Sequence, residues 1–300
     1  MNKTKAWIHA FRLRTLPLAL SSIFLGSFLA AAHHSFSLKI FILATLTTLF
    51  LQILSNLAND LGDSISGADN NERVGPERAV QSGVISHKEM KGMLIVFVLL
   101  SLCSGLWLLY EGMQLINLKQ GVIMLVMGLL AIGAAINYTV GKNPYGYSGF
   151  GDLFVFLFFG LVGVLGTYFL HTGNISWGLF LPAVSVGLLS VGVLNLNNMR
   201  DIDNDARTGK ITLVVKMGTA NAKRYHFTLL SIAMILPCLY TIFNWQSAFQ
   251  FLFLLSFPFI VRNVWHVFKN ENARDLDPEL KRLAISTLLF SLSFGLGLVL

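Results

Sequence analysis

Charge is what this chain has least of. Only 12% of its 300 residues are Asp, Glu, Lys or Arg, about half the fraction in an average soluble domain. Apolar residues make up 54% of the sequence, and the mean hydropathy is +0.66. An ordinary water-soluble enzyme is excluded, and an integral membrane protein is indicated. Cysteine is nearly absent too. Cys103 and Cys238 both fall inside apolar runs and read as inert packing residues. The sequence contains no P-loop GxxxxGKS/T, no dinucleotide GxGxxG, no HExxH and no CxxC. ATP-driven transport, nicotinamide chemistry and zinc hydrolysis therefore have no foothold. The basic start MNKTKAWIHAFRLRTLP carries no cleavable-signal pattern, so the first apolar run is expected to be a retained span.

What the chain has in abundance is long apolar runs. A membrane span needs about 20 mostly apolar residues. Nine stretches qualify, at 16–32, 38–58, 92–110, 120–139, 152–170, 177–197, 227–243, 247–264 and 283–300. They are too long and too evenly apolar for strands. The expected fold class is an all-α integral membrane protein: a bundle of about nine transmembrane helices around a central cavity open to the cytoplasmic side, forming one domain over 1–300. Gly, Ala and Ser within the spans allow close helix approach. With nine spans, Lys39 and Lys119 fall on one side of the bilayer. The other 20 of the 22 Lys and Arg residues, Arg73 among them, fall on the opposite side. This bias predicts a cytoplasmic N-terminus and an external C-terminus. It also accounts for the net charge of +7, so no nucleic-acid partner is expected.

The sparse acids are concentrated. LQILSNLANDLGDSISGAD places Asn59, Asp60, Asp63 and Asp69 at the mouth of one span. NNMRDIDND places Asn198, Asp201, Asp203 and Asp205 at the mouth of another. Asp60 and Asp63 share a face if the helix continues through Gly62, and Asp201 and Asp205 share one at helical spacing. Four spans separate the two motifs, an even number, so both open on the same cytoplasmic face. Helix capping explains one or two such carboxylates, but not two clusters at one rim. Carboxylates at a membrane mouth are costly without a cation. A hard divalent ion such as Mg²⁺, shared with phosphate, is the natural ligand.

Basic residues stand near the acids. Arg78 lies in GPERAVQSG, where Pro76 stiffens the approach and Gly75 and Gly83 let the backbone turn. Arg207 and Lys210 follow the second motif. Lys142 sits in YTVGKNPYGYSGFGD with Tyr138, Tyr145 and Tyr147. This last group is either interfacial aromatics beside a snorkelling lysine or a third wall contributing Lys142 and tyrosine hydroxyls to a phosphate. Arg suits phosphate through its planar fork. Asp152 begins a span, where an acid is also a favourable cap. FVFLFFG at 154–160 reads as lipid-facing packing, His33 and His34 as surface residues, and the charged 265–282 stretch as a solvated segment. Together these point to a lipid bearing a polyphosphate head. A metal-complexed diphosphate is a good leaving group, and an allylic tail would leave a cation for an electron-rich ring to trap in a site that excludes water.

NDLGDSISGAD paired with DIDNDARTGKITL resembles the two Asp-rich motifs of the UbiA-type intramembrane prenyltransferases, and the resemblance covers essentially the whole chain. LSNLANDLGDSISGADN, GPERAVQSG, GKNPYGYSGFGDLFVFLFFG and LNLNNMRDIDNDARTGKITLVVKMG are similar, in order, to the menaquinone-pathway branch. One departure is Gly67, where many members place an acid; Asp69 follows it. The resemblance implies a multi-pass protein of the bacterial cytoplasmic membrane that transfers a polyprenyl group from its diphosphate to 1,4-dihydroxy-2-naphthoate with loss of CO₂. It implies Mg²⁺ on Asn59, Asp60, Asp63, Asp69, Asn198, Asp201 and Asp205. Arg78, Lys142, Arg207 and Lys210, with Tyr138 and Tyr147, would hold the diphosphate, and Asp152 is nominated as base. Alternatives are another acceptor (4-hydroxybenzoate, haem or a glycerol phosphate lipid) or a cation transporter, whose acids belong nearer the bilayer midplane. A CDP-alcohol phosphotransferase would need a compact DG-x₂-AR start, which is absent.

Overall fold

The computed structural model describes residues 2–70, 74, 75 and 78–300; Arg73 and Pro76, invoked above, lie outside them. Among the described residues there is no strand, and nine helices are long and apolar enough to cross a membrane. They are α1 (Lys3–Ala32), α2 (Leu38–Ser66), α3 (His87–Gly112), α4 (Leu118–Asn137), α5 (Gly151–Thr172), α6 (Trp177–Arg200), α7 (Leu213–Phe243), α8 (Ala248–Lys269) and α9 (Ala273–Val299). Local chemistry sets several starts. Ser86 and Glu89 form a reciprocal capping box on α3, and Asn117 and Gln120 do the same on α4.

Several helices run well past the apolar stretches that announce them. α2 continues to Ser66, because Leu57 and Leu61 stay buried along the same face that carries Asp60. α7 starts at Leu213, where Thr212 Oγ1 accepts from the Val215 amide at 3.3 Å. It then breaks at Gly218, whose φ of +75° only glycine adopts readily. Inside α5 the turn widens to a π-helix over Phe156–Gly166. α6 is the most buried helix and packs against α5, α7 and α9; α4 is the least buried. The larger core joins α6, α7, α8 and α9 with α1, and a second packs the start of α1 on α2 and α3.

Gly62 is the tightest point of the first acidic motif. A Cβ there would come within 2.5 Å of the Thr139 carbonyl oxygen, while Thr139 Oγ1 donates to the Ala58 carbonyl at 3.0 Å. The motif helix and the end of α4 are thus in backbone contact. Gly62→Ala is expected to cost about 1–3 kcal/mol by overpacking, read as a lower unfolding midpoint in detergent. An unchanged midpoint would contradict this contact.

Two expectations need correction. The 265–282 stretch is not simply solvated: Asp277 is tied to Arg14 and Arg200, and buried Glu279 accepts from Asn263 Nδ2 at 2.9 Å. These are internal charges that need partners, so helical charge spacing alone misplaced them. Phe154, Leu157 and Phe158 do not merely face lipid: with Tyr145 and Ala134 they line an apolar cavity of about 420 Å³ between α4 and α5. His33 and His34 are exposed, as expected.

Candidate functional site

Arg12 opens the site. It takes up the left-handed region at φ +49° where α1 bends, a position uncommon for a non-glycine residue and worth explaining. The bend is pinned from α2, where Asn56 Nδ2 donates to the Phe11 carbonyl at 3.0 Å and to Thr15 Oγ1 at 3.1 Å. Its result is an ion pair between Arg12 and Asp60, in which Asp60 is almost wholly buried. Arg78 approaches the same carboxylate, with Nε 3.5 Å from Asp60 Oδ1 and 3.9 Å from Asp69 Oδ1. The Asp69 amide donates to the Asp63 carbonyl at 3.1 Å, turning the chain back over the end of α2. The Asn59 amide, oriented by its neighbours, donates to Asp63 Oδ2 at 2.8 Å and accepts from Arg12 Nη1 at 3.1 Å.

The second motif meets the first through Lys210. Its Nζ lies 3.6 Å from Asp63 Oδ2 and 3.8 Å from Asp205 Oδ1. Burial by itself would lower the Lys210 pKa, but Asp63 and Asp205, helped by Tyr147 and Asp201, outweigh it and push the ammonium well up. The same amine stands 5.5 Å over the Tyr147 ring. The Tyr147 hydroxyl donates to Asp63 Oδ1 at 2.7 Å and takes a bond from Ser66 Oγ at 2.6 Å. Burial, then Asp63, raises this phenol, so it stays protonated as a donor. Asn204 Nδ2 donates to the Ala68 carbonyl at 2.8 Å, a backbone tie between the two motifs. Arg78 is pulled the other way: burial, then Arg12, lowers its pKa against Asp60, Asp69 and Asp63.

The remaining expected residues spread outward. Asp201 does not share a continuous helix with Asp205. α6 ends at Arg200, Asp201 sits at φ −101° and ψ 10°, and a short helix Ile202–Arg207 follows. The break turns Asp201 to Arg200, whose Nε and Nη2 reach its two oxygens at 3.0 and 2.6 Å. Asn198 is buried nearby. Asp152 is buried at the start of α5 and accepts from the Tyr225 hydroxyl at 3.1 Å. Tyr138 is half-buried beside Gly151, its phenol raised by burial and then by Asp63, Asp152 and Asp205. Lys142 is exposed and lines a cavity of about 270 Å³ with Gly62, Ser66, Thr139, Tyr147 and Thr208. Arg207 is exposed too, its Nε donating to the Asp203 carbonyl at 3.2 Å. Sequence reasoning passed over Arg12, Arg14, Arg200 and Asp277, each now part of the ion-pair array. The spacing of Arg12 and Arg14 just before a span was their one legible signal.

The donor set suits a hard cation, because every acidic or amide group facing this space offers oxygen. Among the described residues, Asp60 Oδ2 and Asn198 Oδ1 are buried and have no hydrogen-bond partner, as unused ligand atoms would be. Among the described residues no three acidic, imidazole or thiol side chains stand close enough to hold an ion alone. Arg12, Arg78 and Lys210 stand among the acids. Such a site fits an ion that brings anionic oxygens of its own.

Comparison with known proteins bears on this geometry. A model of the UbiA prenyltransferase family matches residues 19–298. The 1,4-dihydroxy-2-naphthoate octaprenyltransferase of Haemophilus influenzae is 44% identical over 99% of this chain and 96% of its own length. Among solved structures, the apo UbiA homologue from Aeropyrum pernix has a TM-score of 0.66 at 18% identity, covering 94% of this chain and 95% of that one. A UbiA homologue from Archaeoglobus fulgidus bound to DMAPP and Mg²⁺ has a TM-score of 0.58 at 18% identity, covering 96% and 98%.

Proposed function

The chain belongs to the UbiA prenyltransferase family, and from that premise we propose that it transfers a polyprenyl group from polyprenyl diphosphate to 1,4-dihydroxy-2-naphthoate. CO₂ is lost, and demethylmenaquinol or its quinone results, a step of menaquinone biosynthesis. The observation that carries this reading is Lys210, buried between Asp63 of one motif and Asp205 of the other. Carboxylates from distant parts of the chain surround one space, with arginines at its edge.

Mg²⁺, when bound, would be held by Asn59, Asp60, Asp63, Asn198 and Asp205 together with diphosphate oxygens, with Asp69 and Asp201 flanking, and would neutralise charge developing on the departing diphosphate. Arg12, Arg78 and Lys210 exchange part of their pairing with the acids for the diphosphate, the two guanidinium forks matching its oxygens. Lys142 and Arg207, both exposed, meet it from the rim. Tyr147 holds Asp63 in place through its hydroxyl, and Tyr138 closes the wall beside it. Asp152 accepts the proton of the acceptor hydroxyl as the ring carbon bonds the allylic carbon and the C–O bond to diphosphate breaks. Release of CO₂ returns its electron pair to the ring, and Asp152 gives the proton back to the oxygen, restoring the diol. Burial of these groups excludes water that would quench an allylic cation. The apolar cavity between α4 and α5 has the character of a hydrocarbon tail. The site faces the cytoplasm of a bacterial inner membrane, with the C-terminus outside.

The test is incubation of purified protein with Mg²⁺, a polyprenyl diphosphate and a panel of aromatic acids, followed by mass analysis of the lipid extract. The expected product is the prenylated naphthalenediol, lighter by CO₂ than the simple adduct. Chelator should abolish it and added Mg²⁺ restore it. Product from 4-hydroxybenzoate alone, or turnover undiminished by chelator, would contradict the assignment.

A further inference from the structure

Asp201 already has a cation on both oxygens, and that cation belongs to the protein. Arg200, with no side-chain exposure, meets it through Nε and Nη2 at 3.0 and 2.6 Å. Nη2 also donates to Asn197 Oδ1 at 2.9 Å, and Nη1 donates to Asp277 Oδ1 at 2.5 Å. Asp277 belongs to neither acidic motif; it opens the last helical segment, far along the chain. Its other oxygen, Oδ2, takes a bond from Arg14 Nη1 at 3.2 Å. Arg14 lies two residues past Arg12, the partner of Asp60. Asp201, Arg200, Asp277 and Arg14 thus form a row of alternating charge, buried at its Asp201–Arg200 end and partly exposed at Asp277 and Arg14.

An arginine shared by two carboxylates holds each one less completely than it would hold either alone. Arg200 directed wholly at Asp201 would neutralise that carboxylate and repel a divalent ion. Asp277 draws part of the guanidinium charge away. Arg14, on the far side, competes for Asp277 and weakens that pull. We propose that Asp277 is a positioning residue that sets, through Arg200, how far the Asp201 carboxylate is available to a divalent cation, with Arg14 opposing it. The inference rests on the metal reading above. It explains why a buried arginine sits on an acid that the second motif otherwise offers to metal, and why a carboxylate outside both motifs is carried into the site.

Mn²⁺ titration of the detergent-solubilised full chain, saturated with a non-reacting prenyl thiodiphosphate and followed by electron paramagnetic resonance, measures cation affinity without turnover. Asp277→Asn should weaken Mn²⁺ binding about tenfold, and Arg14→Gln should tighten it about threefold. Independent sites contribute additively, whereas sites sharing a partner do not. Since Arg14 acts through Asp277, the double variant should match Asp277→Asn alone. Asp275→Asn, the same charge change at an exposed neighbour, should leave the affinity unchanged. Additive effects in the double variant, or equal weakening by Asp275→Asn, would overturn the proposal in favour of plain through-space charge. If Asp277→Asn does not fold, Arg14→Gln decides, because the Arg14–Asp277 pair is about one-third exposed and its loss is tolerable. An unchanged affinity in that variant overturns the proposal. A wild-type chain that binds no Mn²⁺ would overturn the metal reading itself, whereas normal wild-type binding with unresponsive variants would overturn only the role of Asp277.

Discussion

Asp63→Asn is expected to lower prenyl transfer by about a thousandfold or more while the helices stay folded. Asp63 is where the two halves of the site join. It accepts from the Tyr147 hydroxyl at 2.7 Å and from Asn59 at 2.8 Å, and it stands 3.6 Å from Lys210. Asparagine keeps the shape and one carbonyl acceptor, so Tyr147 retains its bond and the packing is undisturbed. What disappears is a full negative charge beside the reacting diphosphate. The resulting defect should appear in kcat and in divalent-cation affinity together, since one carboxylate serves both. Single-turnover product formation, with a thermal scan to verify folding, checks it. A rate within tenfold of wild type would remove Asp63 from the chemistry.

Lys210→Met should act on stability as well as on turnover. The substitution keeps the length of the stem and deletes the cation between Asp63 and Asp205. Both carboxylates are buried and would lose the positive charge at 3.6 and 3.8 Å. Removing one partner of a buried charge pair costs about 3–5 kcal/mol, so the unfolding midpoint in chelator should fall clearly. A divalent cation supplies positive charge to the same acids, so Mg²⁺ should recover much of the loss. Donor binding should remain about a hundredfold weaker even then, because the diphosphate has lost a point charge. A midpoint that falls equally with and without Mg²⁺ would mean that Lys210 acts only as packing.

The nine spans, and the meeting of both acidic motifs at one rim, were legible because each rests on a one-dimensional signal. Apolar run length marks the helices, and the parity of the crossings puts the motifs together. Lys210 shows what that reasoning can reach: placed by its proximity to the second motif, it does stand between Asp63 and Asp205. Arg207, three residues earlier, had the same credentials and is exposed. Which of two neighbouring cations turns inward depends on the short helix after Asp201, and hydropathy does not register that break. Arg12, Arg14 and Arg200 escaped for a different reason. In a membrane protein any arginine beside a span is already explained by topology, which hides those that neutralise buried acids. Asp277 was hidden further, since a charged stretch at helical spacing is ordinarily solvated. Its significance depends on Arg200, which reaches it only in three dimensions.

Calorimetric titration of the purified chain with a non-reacting prenyl thiodiphosphate, with and without Mg²⁺, tests most directly whether the two acidic motifs act as one site. One molecule should bind per chain when Mg²⁺ is present, at least about a hundredfold more weakly in chelator, and Asp63→Asn and Asp205→Asn should each abolish the Mg²⁺ dependence. Equal binding with and without Mg²⁺, or a dependence that survives loss of either carboxylate, would contradict it.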